Sequence, residues 1–298
     1  MSSKITVIGS ANADLVIHSE KMPQLGETLT GSDFQINAGG KGLNQAVAIA
    51  KLGGNVSFIG ALGKDSNASV LLDTLNENGV LFEGRLFENE PTGIAMITVV
   101  NSDNFIILNP GANYCLTPEI IEENEQKIAE SDFCVLQLEI PIETVAKVCE
   151  ISKKHGTKVI LNPAPYKELS PSLLANVDYL IPNEHEARDI TGIYPDNEEN
   201  CIKTVQKLLS MGVKNTVITL GERGCVYNDN NEIKFHSAVP VKAVDTTSAG
   251  DCFIGALTTK LSQGCPIDKA IAFASKASAI TVSRQGASKS IPFAHEVE

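Results

Sequence analysis

Short apolar runs without polar alternation recur along this chain, each followed by a segment of helical period, and that rhythm constrains its fold more than any other feature. The runs are ITVIG (5–9), VSFIGAL (56–62), FCVLQL (133–138), KVILNPAP (158–165), VDYLIPN (177–183) and NTVITLG (215–221). Helical candidates fall between them, at 43–52, 68–78, 118–129, 142–155 and 199–212. A strand that is apolar on both faces must be covered on both faces. Its alternation with helices predicts an α/β fold with three αβα layers around a mainly parallel central sheet. Thr117-Pro118-Glu119 and Pro266-Ile267-Asp268 mark two helix starts, with Pro at or just before the first turn. At 298 residues and 43% hydrophobic, the chain can bury one large core.

Two stretches break the rhythm. Residues 16–36 carry Pro23, Gly26 and Gly31, and residues 92–108 read as a hairpin, GIAMITVV, NSDN, FIIL. Neither has a crossover helix, so they either pair as a small separate sheet beside a cleft or extend the main sheet.

Bulk properties exclude several function classes. No window approaches the eighteen apolar residues of a membrane span, and MSSKITVIGS lacks a secretory pattern, so a cytoplasmic location is expected. Seven scattered cysteines form no C-x-x-C and fit reduced thiols, and the dispersed histidines argue against a histidine metal site. A net charge of −12 without a basic run disfavours nucleic acid. An acidic protein that binds ATP must hold its phosphates with backbone N–H groups, helix N-termini, Mg²⁺ and a few local cations.

Several segments carry candidate chemistry. In Asp245-Thr246-Thr247-Ser248-Ala249-Gly250-Asp251, small residues precede an apolar helix, so the turn presents free N–H groups and a positive dipole end. Asp251 there is either a base for a substrate hydroxyl or a favourable first-turn acid, with Ser248 as the N-cap. The segment Asn37–Ala46 has Gly-Gly-Lys-Gly, but Gly42 follows Lys41 and Gln35 stands where a P-loop needs Gly. Its Gly40, Lys41, Asn44 and Gln45 instead suit a polyhydroxyl ligand, or simply cap a helix. No G-x-G-x-x-G occurs, which weakens a nicotinamide reading. Asn12 and Asp14 follow the first strand and Glu139 ends the third; each either meets a ligand or is a solvated loop group. Asn183 and Glu186 either reach Mg²⁺ through water or form a helix cap. Thr219–Gly224 either lines a nucleotide or is an ordinary turn.

Taken together, NAD at 12–14, GGKGLNQA at 39–46, NPAP with NEHE at 162–186, TLGERG at 219–224 and DTTSAGD at 245–251 resemble the ribokinase subgroup of the PfkB sugar-kinase family. The similarity spans essentially the whole chain, and GGKGxNQA paired with DTxxAGD is specific. The resemblance implies Asp251 as the base for the ribose 5-hydroxyl and an anion hole at 248–251 that includes Ala249 and Gly250. It implies that Asn12, Asp14, Gly40, Lys41, Asn44 and Glu139 hold the sugar. Asn183 and Glu186 would position Mg²⁺ and phosphates, and Thr219, Gly221, Gly224, Gly250 and Ser275 would meet ATP. An activating K⁺ is implied at Asp245, Thr247, Thr281, Arg284, Gly286 and Ser290, several through backbone carbonyls. The implied architecture is a single domain over 1–298, with a β lid from about 12–37 and 92–108 that also makes a homodimer contact. Ser275 departs from the Asn or His common in relatives, and Cys252 replaces a frequent Thr.

The expected activity is therefore ATP-dependent phosphorylation of ribose. Its neighbour is the same chemistry on another sugar or a nucleoside, which 5% aromatics and no Trp disfavour for want of a stacking platform. A sugar-binding regulator needs no base, and so does not explain Asp251 in its loop.

Overall fold

The computed structural model describes residues 3–100, 103–230 and 232–298, so Asn101 and Ser102 of the expected NSDN turn lie outside the described residues. A nine-stranded sheet forms the middle layer. From one edge its strands are Glu232–His236, Cys225–Asp229, Asn215–Thr219, Tyr179–Leu180, Lys158–Leu161, Phe133–Leu136, Lys4–Ile8, Asn55–Ile59 and Leu81–Phe82. Pairing is parallel from Leu81–Phe82 through to Asn215–Thr219 and antiparallel at the other end.

Successive residues of these strands enter opposite cores, because side chains alternate across the pleat. Ile5, Val7, Phe58, Val135 and Ile160 pack on one side with Leu43, Ile254 and Ala274. Ile8, Ile59, Leu136, Leu161 and Ile218 pack on the other with Val148 and Val205. Both faces are dry, which is why the runs show no alternation. The helix Glu198–Ser210 illustrates how the flanking layers arise. It buries Cys201, Thr204, Val205 and Leu208 on one face, and its Asn197 cap accepts the Asn200 N–H at 2.9 Å. Burying a leucine such as Leu208 stabilises the fold by about 2 kcal/mol.

Two expected elements divide. The run 56–62 splits at Gly60, where the chain leaves the main sheet and Ala61–Gly63 pairs with Arg85–Phe87. The helix expected over 118–129 breaks at Asn124, whose side chain donates to Ile120 O at 2.8 Å and caps the first half.

The two irregular stretches form a separate four-stranded sheet in the order Ser32–Gly39, Asn12–His18, Gly93–Val100, Asp103–Asn109. Asn12 and Asp14 thus sit in a strand of this sheet. One cross-strand row places Ile36, Leu15, Met96 and Ile107 side by side on its outer face. The row carrying Asn37, Asp14 and Ala95 faces the opposite way, toward the main body. Among the described residues no helix is long and apolar enough to cross a membrane, and all seven cysteines are free.

Candidate active site

The site residues converge at the carboxyl ends of the parallel strands, where an open α/β sheet places its ligand crevice. Ser10 lies beyond Lys4–Ile8, Gln137 and Glu139 beyond Phe133–Leu136, and Asn162 beyond Lys158–Leu161. Asn183 and Thr219 are bridged side by side at the next two strand ends.

Asp251 stands in the first turn of the helix Ala249–Ser262 and is buried. It does not cap its own helix. Its Oδ2 accepts from Asn44 Nδ2 at 3.2 Å and its Oδ1 from Gln45 Nε2 at 3.0 Å. Burial pushes its proton affinity up, opposed by the Lys41 ammonium and by the Gln45 and Asn44 donors, with Glu139 adding to the rise. The helix begins from Ser248, whose left-handed backbone (φ 59°) turns the chain sharply into the first turn. The Ala249 N–H closes this turn onto Thr246 O at 3.2 Å. The N–H groups of Gly250 and Asp251 remain, which a helix cannot satisfy internally, and the space beside the Gly250 Cα is open. Ser248, expected as a side-chain cap, makes no capping bond, and its hydroxyl has no partner among the described residues.

The Gly-rich segment reaches this point because Gly40 has φ 89°, and a Cβ there would stand 2.8 Å from Ala11 Cα and Asn12 N. Only glycine admits that approach. The helix Lys41–Lys51 then starts without a side-chain cap of its own. Glu139 supplies one, its Oε2 accepting the Lys41 N–H at 3.1 Å and the Ser10 hydroxyl at 2.5 Å. Burial alone would lower the Lys41 pKa, but Asp251, Glu139 and Glu186 together raise it, so the ammonium stays charged. Asn44 Oδ1 is buried with no partner among the described residues, an acceptor that a hydroxyl donor would satisfy.

Asp14 is half-buried, its carboxylate lying where a Gly39 side chain would be. Desolvation, with the negative charges of Glu139 and Asp251, raises its pKa to about 7. Asn12 is buried and its Oδ1 accepts from Asn113 Nδ2 at 2.8 Å. Asp14 lines a groove of about 860 Å³ between the small sheet and the main body. Lys41, Asn183, Glu186, Thr219, Gly250 and Asp251 line an adjoining cavity of about 220 Å³. Thr246 borders both. Asn12, Gly40, Asn44 and Glu139 line neither cavity, although Asn44 bonds Asp251 and Glu139 bonds the Lys41 N–H.

Asn183 and Glu186 form a complete capping box on the helix Glu184–Thr191, so the capping alternative holds for them. Glu186 Oε2 accepts from Asn183 N at 2.9 Å and Oε1 from Asn183 Nδ2 at 3.0 Å. Burial raises the Glu186 pKa against this bonding and the Lys41 charge. Among the described residues no group of three or more His, Cys, Asp or Glu is gathered to hold a metal directly. Oxygens already engaged in a cap fit Mg²⁺ held through its water shell, which that ion sheds reluctantly.

The candidate cation segments also meet. Asp245 Oδ1 accepts from Thr247 N at 2.9 Å and Oδ2 from Gly286 N at 3.0 Å. Although burial opposes it, these bonds hold the Asp245 carboxyl below the usual range. Thr281 and Ser290 donate their hydroxyls to Ala277 O and Ala287 O at 3.0 and 2.7 Å, leaving oxygen lone pairs. The Arg284 side chain is bound to Glu296 at 2.6 Å, which leaves its backbone carbonyl as the group it could offer a cation. An oxygen-only donor set of this kind suits a hard monovalent cation.

Gly221 and Gly224 bracket the turn after Thr219. Ser275 is half-buried on the helix Ile267–Val282 and lines neither cavity. One turn on, Ser278 Oγ bonds Ala249 O at 3.1 Å and ties that helix to the Asp251 turn.

Some functional neighbours were missed from the sequence. Gln45, expected with the ligand-facing amides, is turned inward instead; Asn162 was noted only as part of NPAP, and Gln137 and Asn113 were not singled out. A polar residue interrupting an apolar run was the available signal for Gln137 and Asn162.

Comparison with known proteins bears on the family and the fold. Residues 2–294 match the model described as pfkB family carbohydrate kinase. Ribokinase of Haemophilus influenzae is 40% identical over 298 residues, covering 99% of this chain and 97% of that protein. Ribokinase of Schizosaccharomyces pombe is 42% identical over 306 residues, covering 99% and 96%. The structure of Arabidopsis thaliana ribokinase complexed with ribose and ATP matches with a TM-score of 0.95 at 33% identity, covering 100% of this chain and 98% of that one. Shared sequence and shared fold over essentially the full length lead to one assignment: the chain belongs to the pfkB family of carbohydrate kinases.

Proposed function

We propose that the protein phosphorylates D-ribose at its 5-hydroxyl with ATP, giving ribose 5-phosphate and ADP. One observation carries the reading: Asp251 is held by two amide donors beside unsatisfied helix N–H groups, next to an unpartnered Asn44 oxygen. The 5-hydroxyl oxygen attacks the γ-phosphorus as Asp251 takes its proton, and the bond to the β-phosphate oxygen breaks to release ADP. The Gly250 and Asp251 N–H groups meet the charge that develops on the transferring phosphoryl. Asn12, Asp14, Gly40, Lys41, Asn44 and Glu139 hold the sugar. Asn183, Thr219, Gly221, Gly224 and Ser275 hold the nucleotide, with Asn183 and Glu186 on the water shell of Mg²⁺. When bound there, Mg²⁺ would supply charge neutralisation on the phosphates. K⁺ at Asp245, Thr247, Thr281, Arg284, Gly286 and Ser290 would brace the anion-binding turn. The reading places the reaction in the cytoplasm, where ATP and K⁺ are plentiful.

A coupled ADP-release assay over ribose, deoxyribose, fructose and adenosine tests the substrate. Ribose should give the highest kcat/KM, several-fold lower when Na⁺ replaces K⁺. Preference for another acceptor would move the assignment to a different sugar or nucleoside, and indifference to the cation would remove K⁺.

Within the same proposal, the single domain carries the small sheet as a lid over the sugar and as the contact of a homodimer. Its outer face leaves Phe34 61%, Met96 55% and Ile107 71% exposed, a continuous apolar surface of the kind that partners cover. Ile107→Glu is expected to halve the mass seen by sedimentation. An unchanged mass, or a monomeric parent, would refute the contact.

A further inference from the structure

Two glutamines stand behind Asp251, and neither lines a cavity. Gln45 and Gln137 are both 0% exposed. Gln45 Nε2 donates to Asp251 Oδ1 at 3.0 Å and to Asn162 Oδ1 at 3.3 Å, which uses both of its hydrogens. Gln45 Oε1 accepts from Gln137 Nε2 at 2.6 Å. A primary amide has nearly the same shape either way round, so its neighbours decide its orientation. Reversed, Gln45 would turn its oxygen on a carboxylate and its NH₂ on the NH₂ of Gln137. Both contacts would be repulsive.

Gln137 packs tightly against the first strand's end. Its Oε1 fills the space left by Gly9, where a Cβ would stand 2.0 Å from that oxygen. No donor meets Oε1 among the described residues. The donor end of the amide faces Gln45 Oε1, the contact that sets its orientation.

We propose that Gln137 and Gln45 are positioning residues, a relay of two amides that presents a fixed N–H donor to Asp251 and aims its free lone pairs at the acceptor hydroxyl. The relay rests on the reading of Asp251 as the base. It acts over a distance of two side chains because the Gln45 amide, with its oxygen and both hydrogens engaged, has a single satisfied orientation. The groups whose charge bears on Asp251 are Lys41, Glu139, Asp14 and Glu186. Lys41 is the one cation among these four. After Lys41, the Gln45 and Asn44 donors are what oppose the rise that burial imposes on Asp251.

Two variants of the full chain test the relay. Gln137→Met keeps an unbranched buried side chain but removes the donor to Gln45 Oε1, one of the contacts that fix the Gln45 amide. The expected result is about a tenfold fall in kcat at pH 7, ribose KM within about twofold, and an acid limb of kcat/KM moved up by about one pH unit. In Gln137→Glu the introduced carboxyl can donate to Gln45 only while protonated. That variant should work near the parental rate at low pH and lose activity as pH rises, the reverse of the parental slope. A packing role would lower both variants alike at every pH, in step with Tm, and that outcome overturns the relay. Parental kcat and pH profile in Gln137→Met would do the same. If Gln137→Met does not fold, the slope of the nearly isosteric Gln137→Glu decides. The Asp251→Asn variant separates the two levels: retained turnover there removes the base itself, whereas an inactive Asp251→Asn with a parental Gln137→Met removes the relay alone.

Discussion

Asp251→Asn is expected to lower turnover by about 10³-fold, the scale on which a positioned general base contributes, while ribose affinity changes by about fivefold or less. The substitution keeps shape and burial but removes the only feature the chemistry needs, a lone pair basic enough to take the hydroxyl proton. It also places an NH₂ against one of two amide donors that now point at the carboxylate. Asn44 can absorb that conflict by rotating its amide, because its Oδ1 has no partner to lose among the described residues. Gln45 cannot, since its oxygen is bound to Gln137. The protein should therefore fold normally and still bind sugar. Single-turnover phosphoryl transfer and a ribose titration read the two effects separately. Near-normal transfer would eliminate Asp251 as the base.

The second large effect is expected at Asp14. Asp14→Ala should raise the ribose KM by about 100-fold with a smaller change in kcat, because a charged acceptor of sugar hydroxyls is lost from a partly desolvated site. An unchanged ribose Kd would refute this role. Its pH dependence has a defined sign. The pKa of Asp14 rises from 3.8 to about 7 in the folded protein, so between those values the folded state keeps a proton that the unfolded state has lost. Stability from this group is thus present at low pH and is lost as pH rises from about 4 to about 7. Asp14→Asn removes the loss. It should raise Tm by a few degrees at pH 8 and by little at pH 4, once the shift is discounted for a half-buried side chain. For the parent, ribose should bind more tightly as pH rises through 7 and the acceptor becomes charged. An affinity flat across that range would contradict the raised pKa.

Much of the layered fold was legible because its signals are local. The run of 159–161 is apolar and buried at every position, and only a sheet covered on both sides can use such a strand. The helix expected over 142–155 is found at Ile142–His155, ended by Gly156 in the left-handed conformation that glycine adopts freely. The break at Asn124 was not legible, because it depends on whether a side chain turns back onto Ile120. Nor could apolar pattern distinguish Ala61–Gly63 from the strand before it, since both are buried and only pairing separates them.

The site divides in the same way. Its glycines, its turn before Ala249 and its polar groups past strand ends could be found in the chain itself, because close approach, tight turning and strand termination each demand particular residues nearby. Whether Asp251 caps a helix or faces a substrate could not. That is set by Asn44 and Gln45, 207 and 206 residues away in sequence, and by the inward turn of Gln45 onto Gln137. The charge on Asp14 likewise depends on burial and on Glu139 and Asp251, brought near only by folding. Amino-acid order determined the elements and the loops, whose energetics are those of neighbouring residues. Tertiary structure alone decided which polar groups are buried together, and so which carboxylate can act as a base.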